Sequence, residues 1–283
     1  MPYRITEKRD LNPQVYFMKI EAPLIARKVE PGQFVIVRLD EYAERVPFTV
    51  ADFDREAGVI TIFVQAVGNS TRALARLNAG DEISDIAGPL GMPTALEGYK
   101  KAAVIGGGLG TAIAWPQAKK LKALGTEVTA ITGFRDESYI ILADEMRAAS
   151  DRLIITTDDG SNGLQGFVTD RLRELLEAGE TFDLIVTIGP LVMMKFVVAA
   201  AKPFGVPVTV SMNPIMIDGT GMCGGCRITL VQDGRRVTKF ACVDGPDFNG
   251  YEIDFDEAMS RGRMYADFER HAREETCNLL RRA

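Results

Sequence analysis

The sequence predicts a multidomain chain of three units in series. An antiparallel β-barrel covers 1–98, an α/β unit with a Rossmann-like parallel sheet covers 99–210, and a small cysteine-centred unit covers 211–283. Three observations carry that expectation. Up to Gly98 the apolar residues fall in short β-like runs separated by turn residues. From Lys101 strand-like runs alternate with amphipathic helical stretches, and beyond Val210 three of the four cysteines gather in one glycine-rich stretch. Regularly spaced short strands suit a small barrel, whereas alternating strands and helices need crossovers and hence a parallel sheet.

Composition narrows the function. With 283 residues, 46% hydrophobic and 25% charged, the chain has apolar material for more than one core and is too mixed for disorder. A net charge of -6 argues against a nucleic-acid binder, which needs a basic face to neutralise phosphates. The opening Met-Pro-Tyr-Arg-Ile-Thr-Glu-Lys lacks the apolar segment of a secretion signal, and no apolar run is long enough to span a bilayer. A cytoplasmic, membrane-free protein is expected, in which four cysteines read as ligands or free thiols rather than a disulfide frame.

In the first unit the expected strands are Val15–Ile20, Gln33–Leu39, Pro47–Ala51, Val59–Val67 and Glu82–Ala87, with a brief helix at Ser70–Leu77 capped by hydroxyls. Arg45-Val-Pro-Phe-Thr49 sets a cation and a hydroxyl at a strand entry. Gly68-Asn-Ser70-Thr71 opens the helix with donors suited to a phosphate. Read singly, Arg45 is an ordinary surface charge and Thr49 an ordinary strand residue.

In the second unit five strands are expected, at Ala102–Gly106, Glu127–Thr132, Leu153–Thr157, Leu184–Ile188 and Val208–Val210. Helices are expected at Thr111–Leu124, Glu137–Ala149, Phe167–Ala178 and Val192–Lys202. The first turn, Gly106-Gly107-Gly108-Leu109-Gly110-Thr111, follows a strand and opens a helix, so its amides and the helix dipole face the place a pyrophosphate would occupy. The dinucleotide fingerprint Gly-x-Gly-x-x-Gly needs glycine where Thr111 stands, and a mere tight turn is the competing reading. Asp158-Asp159-Gly-Ser-Asn-Gly163 and Gly189-Pro190-Leu-Val-Met-Met194 also follow strand ends, where open α/β sheets bind ligands.

The third unit carries Asp218-Gly-Thr-Gly-Met-Cys223-Gly-Gly-Cys226 and then Cys242. This is the plant-type [2Fe-2S] spacing with aspartate in the first ligand position. Thiolates are soft donors, and glycines let backbone amides approach the sulfurs. Arg227 to Cys242 alternates around Asp233-Gly234, a hairpin that returns Cys242 beside Cys226 without help from distant chain. Two other readings stay open: Asp218-Gly as a simple turn, and a structural zinc held by the cysteines with Asp218 or the lone His271. Disulfides fit the two-residue spacing of Cys223 and Cys226 poorly. Asp254–Glu275 has charged helical spacing, and Cys277 beyond it reads as a free thiol.

The order of these motifs resembles the ferredoxin-NADP reductase superfamily. That resemblance implies that Arg45, Gly68, Ser70 and Thr71 hold the pyrophosphate of FAD while Pro47, Phe48 and Thr49 line the isoalloxazine. Gly88-Pro-Leu-Gly91 is then the closing loop of the flavin barrel. Gly106, Gly107, Gly108, Gly110 and Thr111, with Pro116 further along, resemble the superfamily's Gly-Gly-x-Gly variant; with Asp159, Gly189 and Pro190 they imply a pyridine-nucleotide site. Ile188 stands where the superfamily usually has a cysteine facing the nicotinamide. Arg135 is expected near the adenine ribose, where Asp136 and Glu137 would repel a 2'-phosphate, so NAD(H) is favoured over NADP(H).

The three units in this order resemble the electron-transfer subunits of dihydroorotate dehydrogenase B, which use four cysteines. The aspartate-first stretch, with Met212-Asn-Pro-Ile-Met-Ile before it and Cys242-Val-Asp-Gly-Pro-Asp-Phe after it, resembles the small subunits of NADH-dependent reduced ferredoxin:NADP oxidoreductases. By that resemblance Asp218, Cys223, Cys226 and Cys242 hold the cluster, and no side chain acts as acid or base. The implied partner is a large flavin and [4Fe-4S] subunit that binds NADP(H) and ferredoxin, with flavin-based electron bifurcation as the joint activity. Service to a dihydroorotate dehydrogenase or another flavin/iron-sulfur partner is the alternative, as is a zinc-bound regulatory subunit without turnover.

Overall fold

The structure, a computed structural model, describes residues 2–268 together with 270 and 271. Cys277 and the end of the charged segment at Glu275 lie outside the described residues.

Seven strands form a nearly closed antiparallel barrel: β1 (Tyr3–Asp10), β2 (Val15–Glu21), β3 (Phe34–Arg38), β4 (Arg45–Asp54), β5 (Val59–Gln65), β6 (Glu82–Ile83) and β7 (Asp85–Leu90), in the order β6-β1-β2-β5-β4-β3-β7. Short helices α1 (Pro23–Ala26) and α2 (Asn69–Leu74) fill its connections. β2 and β5 are apolar on both faces for a reason. Met18, Ile20, Ile60 and Ile62 point into the barrel, whereas Val15, Phe17 and Phe63 point outward into the core shared with the next unit. β1 is absent from the sequence expectation because only Ile5 of its eight residues is buried; its strand form comes from pairing with β2 and β6. Gly88 to Leu90, expected as a closing loop, lie within β7, where Leu90 pairs with Phe34 of β3 and Gly88 and Pro89 occupy the register shift before it. The bulge lets Pro89, which has no N–H to donate, sit on a barrel strand.

The second sheet runs β10-β9-β8-β11-β12 in parallel, from β8 (Lys101–Gly107), β9 (Glu127–Phe134), β10 (Arg152–Thr157), β11 (Leu184–Ile188) and β12 (Val208–Ser211). Its helices are α3 (Gly110–Ala123), α4 (Ala143–Ala148), α5 (Val168–Glu177) and α6 (Leu191–Ala201). The helix expected from Glu137 is broken. A 3-10 turn covers Glu137–Tyr139, and α4 starts only after Leu142, at φ 56°. Ile141 and Leu142 between them drop into the core, which a continuous surface helix would not allow.

The third unit holds the expected hairpin, β13 (Arg227–Gln232) and β14 (Arg235–Phe240), followed by β15 (Asp247–Asn249) and α7 (Phe255–Gly262). Asp233 and Gly234 both have positive φ, as a two-residue hairpin turn requires. β15 was not expected: it adds to the parallel sheet as an antiparallel sixth strand beside β12, with Val210 opposite Phe248.

The units share cores. Helix α3 turns small residues, Ala112, Ala114 and Ala118, into a close approach between sheet and barrel, and Lys119 Nζ seals that seam 2.7 Å from Asp52 Oδ1. A second core gathers Phe34 and Ile36 of the barrel with α5, α6, Cys226, Cys242 and Phe248. A backbone bond stitches the joint, Met92 N–H to Gly245 O at 2.6 Å, and Thr94 N–H ties the end of the first unit to Pro31 O at 2.9 Å. The Thr94 hydroxyl donates to Asp247 Oδ2 at 2.5 Å, and burial pushes the Asp247 carboxyl up.

Candidate functional site

The β3–β4 register pairs Phe34 with Thr49, Ile36 with Pro47 and Arg38 with Arg45. Directly paired residues share a face of a sheet, so Arg45, Pro47 and Thr49 stand on the outer face with Phe34 and Ile36. Phe48 alternates to the other face and packs into the barrel core, so its side chain is not with the other three. Glu44, next to Arg45, accepts a hydrogen bond from the Ser70 hydroxyl, which brings the start of α2 to the start of β4. The Thr71 hydroxyl closes its own turn, donating to Gly68 O at 3.1 Å and accepting from Gly68 N–H at 3.0 Å. Asn69 and Ser70 line a cavity of about 340 Å³ at the barrel mouth with Val37, Val46 and Phe48.

The loop from Asp218 to Cys226, which with Cys242 forms a thiol cradle, rests on that outer face. Gly219 has a φ of 82°, which favours glycine, and a Cβ there would lie 2.6 Å from Leu90 Cδ1 and 2.8 Å from Ile36 Cδ1, so the loop sits directly on these two side chains. Arg45 Nε donates to Ile217 O at 2.7 Å, and its Nη2 lies 3.5 Å from Asp218 O. The hairpin therefore does not close the cradle alone; the barrel braces it. Cys226 and Cys242 are buried with sulfurs 3.2 Å apart, and Cys223 is exposed. The Asp218 carboxylate accepts from Thr220 N–H at 2.6 Å and Cys223 N–H at 2.8 Å. Hydrogen bonds from Cys223, then from Thr220, hold that carboxyl well below the usual carboxylate range. Burial, then the Cys226 side chain, pushes the Cys242 thiol up to about 12.

Among the described residues no three His, Cys, Asp or Glu side chains surround a single ion. A two-iron cluster divides its ligands between two metal centres, and the donor set suits it. Gly221 N–H is aimed at Cys242 and Gly225 N–H at Cys223 Sγ at 3.4 Å, whereas the nearby Asp218 charge disfavours the Cys242 thiolate. An amide hydrogen bond favours the thiolate that a cluster ligand must be, although at Cys242 burial and the Cys226 side chain outweigh it.

The nucleotide end lies where strand order reverses, between β8 and β11, the usual ligand crevice of such sheets. Gly106-Gly110 leaves β8, and Gly189-Pro190 leaves β11. The loops touch: a Cβ on Gly110 would meet Ile188 O at 2.3 Å, and one on Gly107 would meet Met193 Sδ at 2.4 Å. Thr111 is buried beneath Gly106 with its Oγ1 unpaired, so its side chain packs helix against strand and is turned away from the open loop. Ile188 is likewise buried in the core against α3. Arg135 stacks over Tyr139 at 5.2 Å, Asp136 caps Ser138, and Asp159 accepts from Ser161 N–H at 3.0 Å. Burial raises the nearby Asp158 carboxyl, partly offset by Arg135.

The iron-sulfur cluster binding domain of dihydroorotate dehydrogenase B matches residues 213–254, which span the whole cradle and hairpin. The chain is 44% identical over 266 residues to a dihydroorotate dehydrogenase B (NAD(+)) electron transfer subunit homolog of Thermotoga maritima, covering 94% of this chain and 92% of that one. A dihydroorotate dehydrogenase B (NAD(+)) electron transfer subunit of Desulforamulus reducens is 32% identical, with 85% of this chain and 93% of that one covered. The chain belongs to the family of dihydroorotate dehydrogenase B electron-transfer subunits and their homologues. A chain of the NADH-dependent reduced ferredoxin-NADP oxidoreductase structure, solved for insight into flavin-based electron bifurcation, is 42% identical with a TM-score of 0.90 over 98% of both chains. Phthalate dioxygenase reductase, at 16% identity and TM-score 0.59, shares the fold.

Within this family architecture, three residues that sequence reasoning missed support the site. Asp244 accepts from Phe240 N–H at 2.7 Å and fixes the turn after β14 that carries Cys242. Arg261 on α7 donates to Gly225 O at 3.3 Å, and Glu44 holds Ser70. Asp244 lies close enough in sequence to Cys242 to be found; Arg261 and Glu44 act across the fold and carry no local signal. Among the described residues no helix is long and apolar enough to cross a membrane.

Proposed function

We propose that this chain is the cytoplasmic electron-transfer subunit of a heteromeric oxidoreductase, exchanging electrons among NAD(H), FAD and a [2Fe-2S] cluster. The observation that carries this reading is the seating of the thiol cradle on the barrel face that presents Arg45, Pro47 and Thr49. When bound, the flavin converts a two-electron hydride into single electrons and the cluster carries them singly. Arg45, Ser70 and the Gly68–Thr71 turn bind the flavin diphosphate, and Thr49 presents a hydroxyl to the ring system. The amides of Gly106 to Gly110 hold the pyridine nucleotide beside it, with Gly189 and Pro190 bordering the crevice. Cys223, Cys226 and Cys242, with Asp218 as fourth ligand, hold the cluster. Unpaired thiols suit a reducing compartment.

The partner in this reading is a large flavin and [4Fe-4S] subunit that binds NADP(H) and ferredoxin, and the joint activity is electron bifurcation. The 42% identity over 98% of both chains to the NADH-dependent reduced ferredoxin-NADP oxidoreductase chain supports it. Affinity purification of the full chain with its partner, followed by anaerobic titration, tests it. NADH is expected to bleach both flavin and iron-sulfur absorption, with NADPH weaker because Asp136 and Glu137 follow Arg135 directly and the Asp158 charge reaches it. A zinc-bound protein with neither absorption ends the electron-transfer reading. A co-purified large subunit without an NADP site ends the bifurcation reading and favours a dihydroorotate dehydrogenase partner.

Asp218 has its own test. Asp218→Ala is expected to lose the cluster and Asp218→Cys to retain it with a shifted potential. Unchanged spectra in both variants would reduce Asp218 to the loop-closing role of its bonds to Thr220 and Cys223.

A further inference from the structure

We propose that Arg45 couples the two cofactor sites, so that flavin occupancy stabilises the cluster loop and the loop in turn raises flavin affinity. This rests on the flavin and cluster sites of the reading above. Arg45 opens β4 on the outer face, yet its Nε donates across 172 positions of sequence to Ile217 O at 2.7 Å, with Nη2 3.5 Å from Asp218 O. A guanidinium has five N–H groups in a rigid fork. Two are thus directed at the cradle, and among the described residues the other three meet no protein acceptor. A diphosphate is the acceptor that such a fork matches.

The carbonyls Arg45 holds belong to the residues that start the cradle. Asp218 is the one whose carboxylate gathers Thr220 N–H and Cys223 N–H, so fixing its backbone fixes the route to the first thiol. A phosphate that immobilises the guanidinium removes the freedom the loop would otherwise have to leave the barrel. Glu44 and Ser70, bonded to each other beside it, bring the helix start to the same place. Coupling between two binding sites is reciprocal, so an ordered, metal-loaded loop holds Arg45 ready for the flavin. Gly219, wedged on Leu90 and Ile36, supplies the second contact between loop and barrel and keeps the seam closed enough for this to act.

The test uses the full-length protein carrying both cofactors. Cluster loss to an iron chelator is followed by visible absorbance, with flavin bound and after flavin is stripped. Flavin removal is expected to speed cluster loss about 5-fold or more. Arg45→Ala should lose iron at the fast rate whether or not flavin is present, and Arg45→Lys, which keeps the charge but not the fork, should do the same. Arg55→Ala, a barrel arginine whose bonds go to Arg27 O, Val29 O and Glu30 Oε1 and to neither cofactor site, should keep the flavin effect. Equal rates of iron loss with and without flavin in the unsubstituted protein overturn the coupling, and that comparison stands even if the Arg45 variants fail to fold. Arg45 variants that keep the slow, flavin-sensitive iron loss when flavin is supplied in excess overturn it too. A protein that takes up neither flavin nor iron overturns instead the functional reading beneath it.

Discussion

Cys226→Ser protein is expected to purify without iron and without iron-sulfur absorption, while still binding flavin when FAD is supplied in excess. The reason is the position of this thiol. Cys226 is 1% exposed, its sulfur is 3.2 Å from that of Cys242, and its backbone carbonyl accepts from Ala241 N–H at 3.1 Å. It therefore joins the loop to the hairpin return. Serine preserves size but offers a hard, weakly acidic hydroxyl in place of a soft thiolate. Because ligand binding is also folding energy for a small metal unit, the hairpin should become more protease-sensitive as well. The barrel residues Pro47 and Thr49 are untouched, so flavin absorption separates this outcome from global unfolding. Iron content equal to that of the unsubstituted protein would remove Cys226 from the ligand set.

Gly110→Ala is expected to lower NADH affinity about 10-fold or more and to depress the melting temperature by roughly 5 °C or more. Alanine is the better helix former by about 1 kcal/mol, so propensity alone argues the opposite. Packing decides it. The added Cβ would lie 2.3 Å from Ile188 O and 2.8 Å from its carbonyl carbon, both backbone atoms of a central strand that has no side-chain freedom to yield. The start of α3 must lift away from β11, which tilts the amides of the Gly106–Gly110 turn. Overpacking of this kind costs about 1–3 kcal/mol. Gly108→Ala is the contrast: its Cβ would meet nothing within 4 Å, leaving only the φ of 56° to resist, at about 1 kcal/mol. Equal melting and equal affinity for Gly110→Ala and the unsubstituted chain would refute the packing argument.

Where the burial of a segment followed from its own residues, the sequence was legible. β2, β5 and β8 are apolar enough to call for burial whatever their neighbours, and α5 has a clean apolar stripe of Val168, Leu172, Leu175 and Leu176. Asp233-Gly234 encodes its own turn. β1 and β15 are different. Their side chains are mostly polar or few, and each becomes a strand because a neighbouring edge, β2 and β6 for one and β12 for the other, offers unpaired backbone groups. The broken helix after Glu137 has the same origin, since the sheet and α3 bury Ile141 and Leu142 at the expense of helical continuity.

The sequence by itself determined the barrel, the parallel sheet and the cysteine-centred unit and their order. Periodicity, turn residues and cysteine spacing are local properties that a chain carries into any fold. Only the tertiary structure decided how the cradle meets the barrel. Strand register turned Phe48 inward and left Arg45, Pro47 and Thr49 outward, and a glycine at 219 allowed the loop to come down on Ile36 and Leu90. Arg45 then reached Ile217 and Asp218, far away in sequence, because a guanidinium satisfies whichever carbonyls packing brings within its reach. A motif can name a donor; the fold chooses the acceptor.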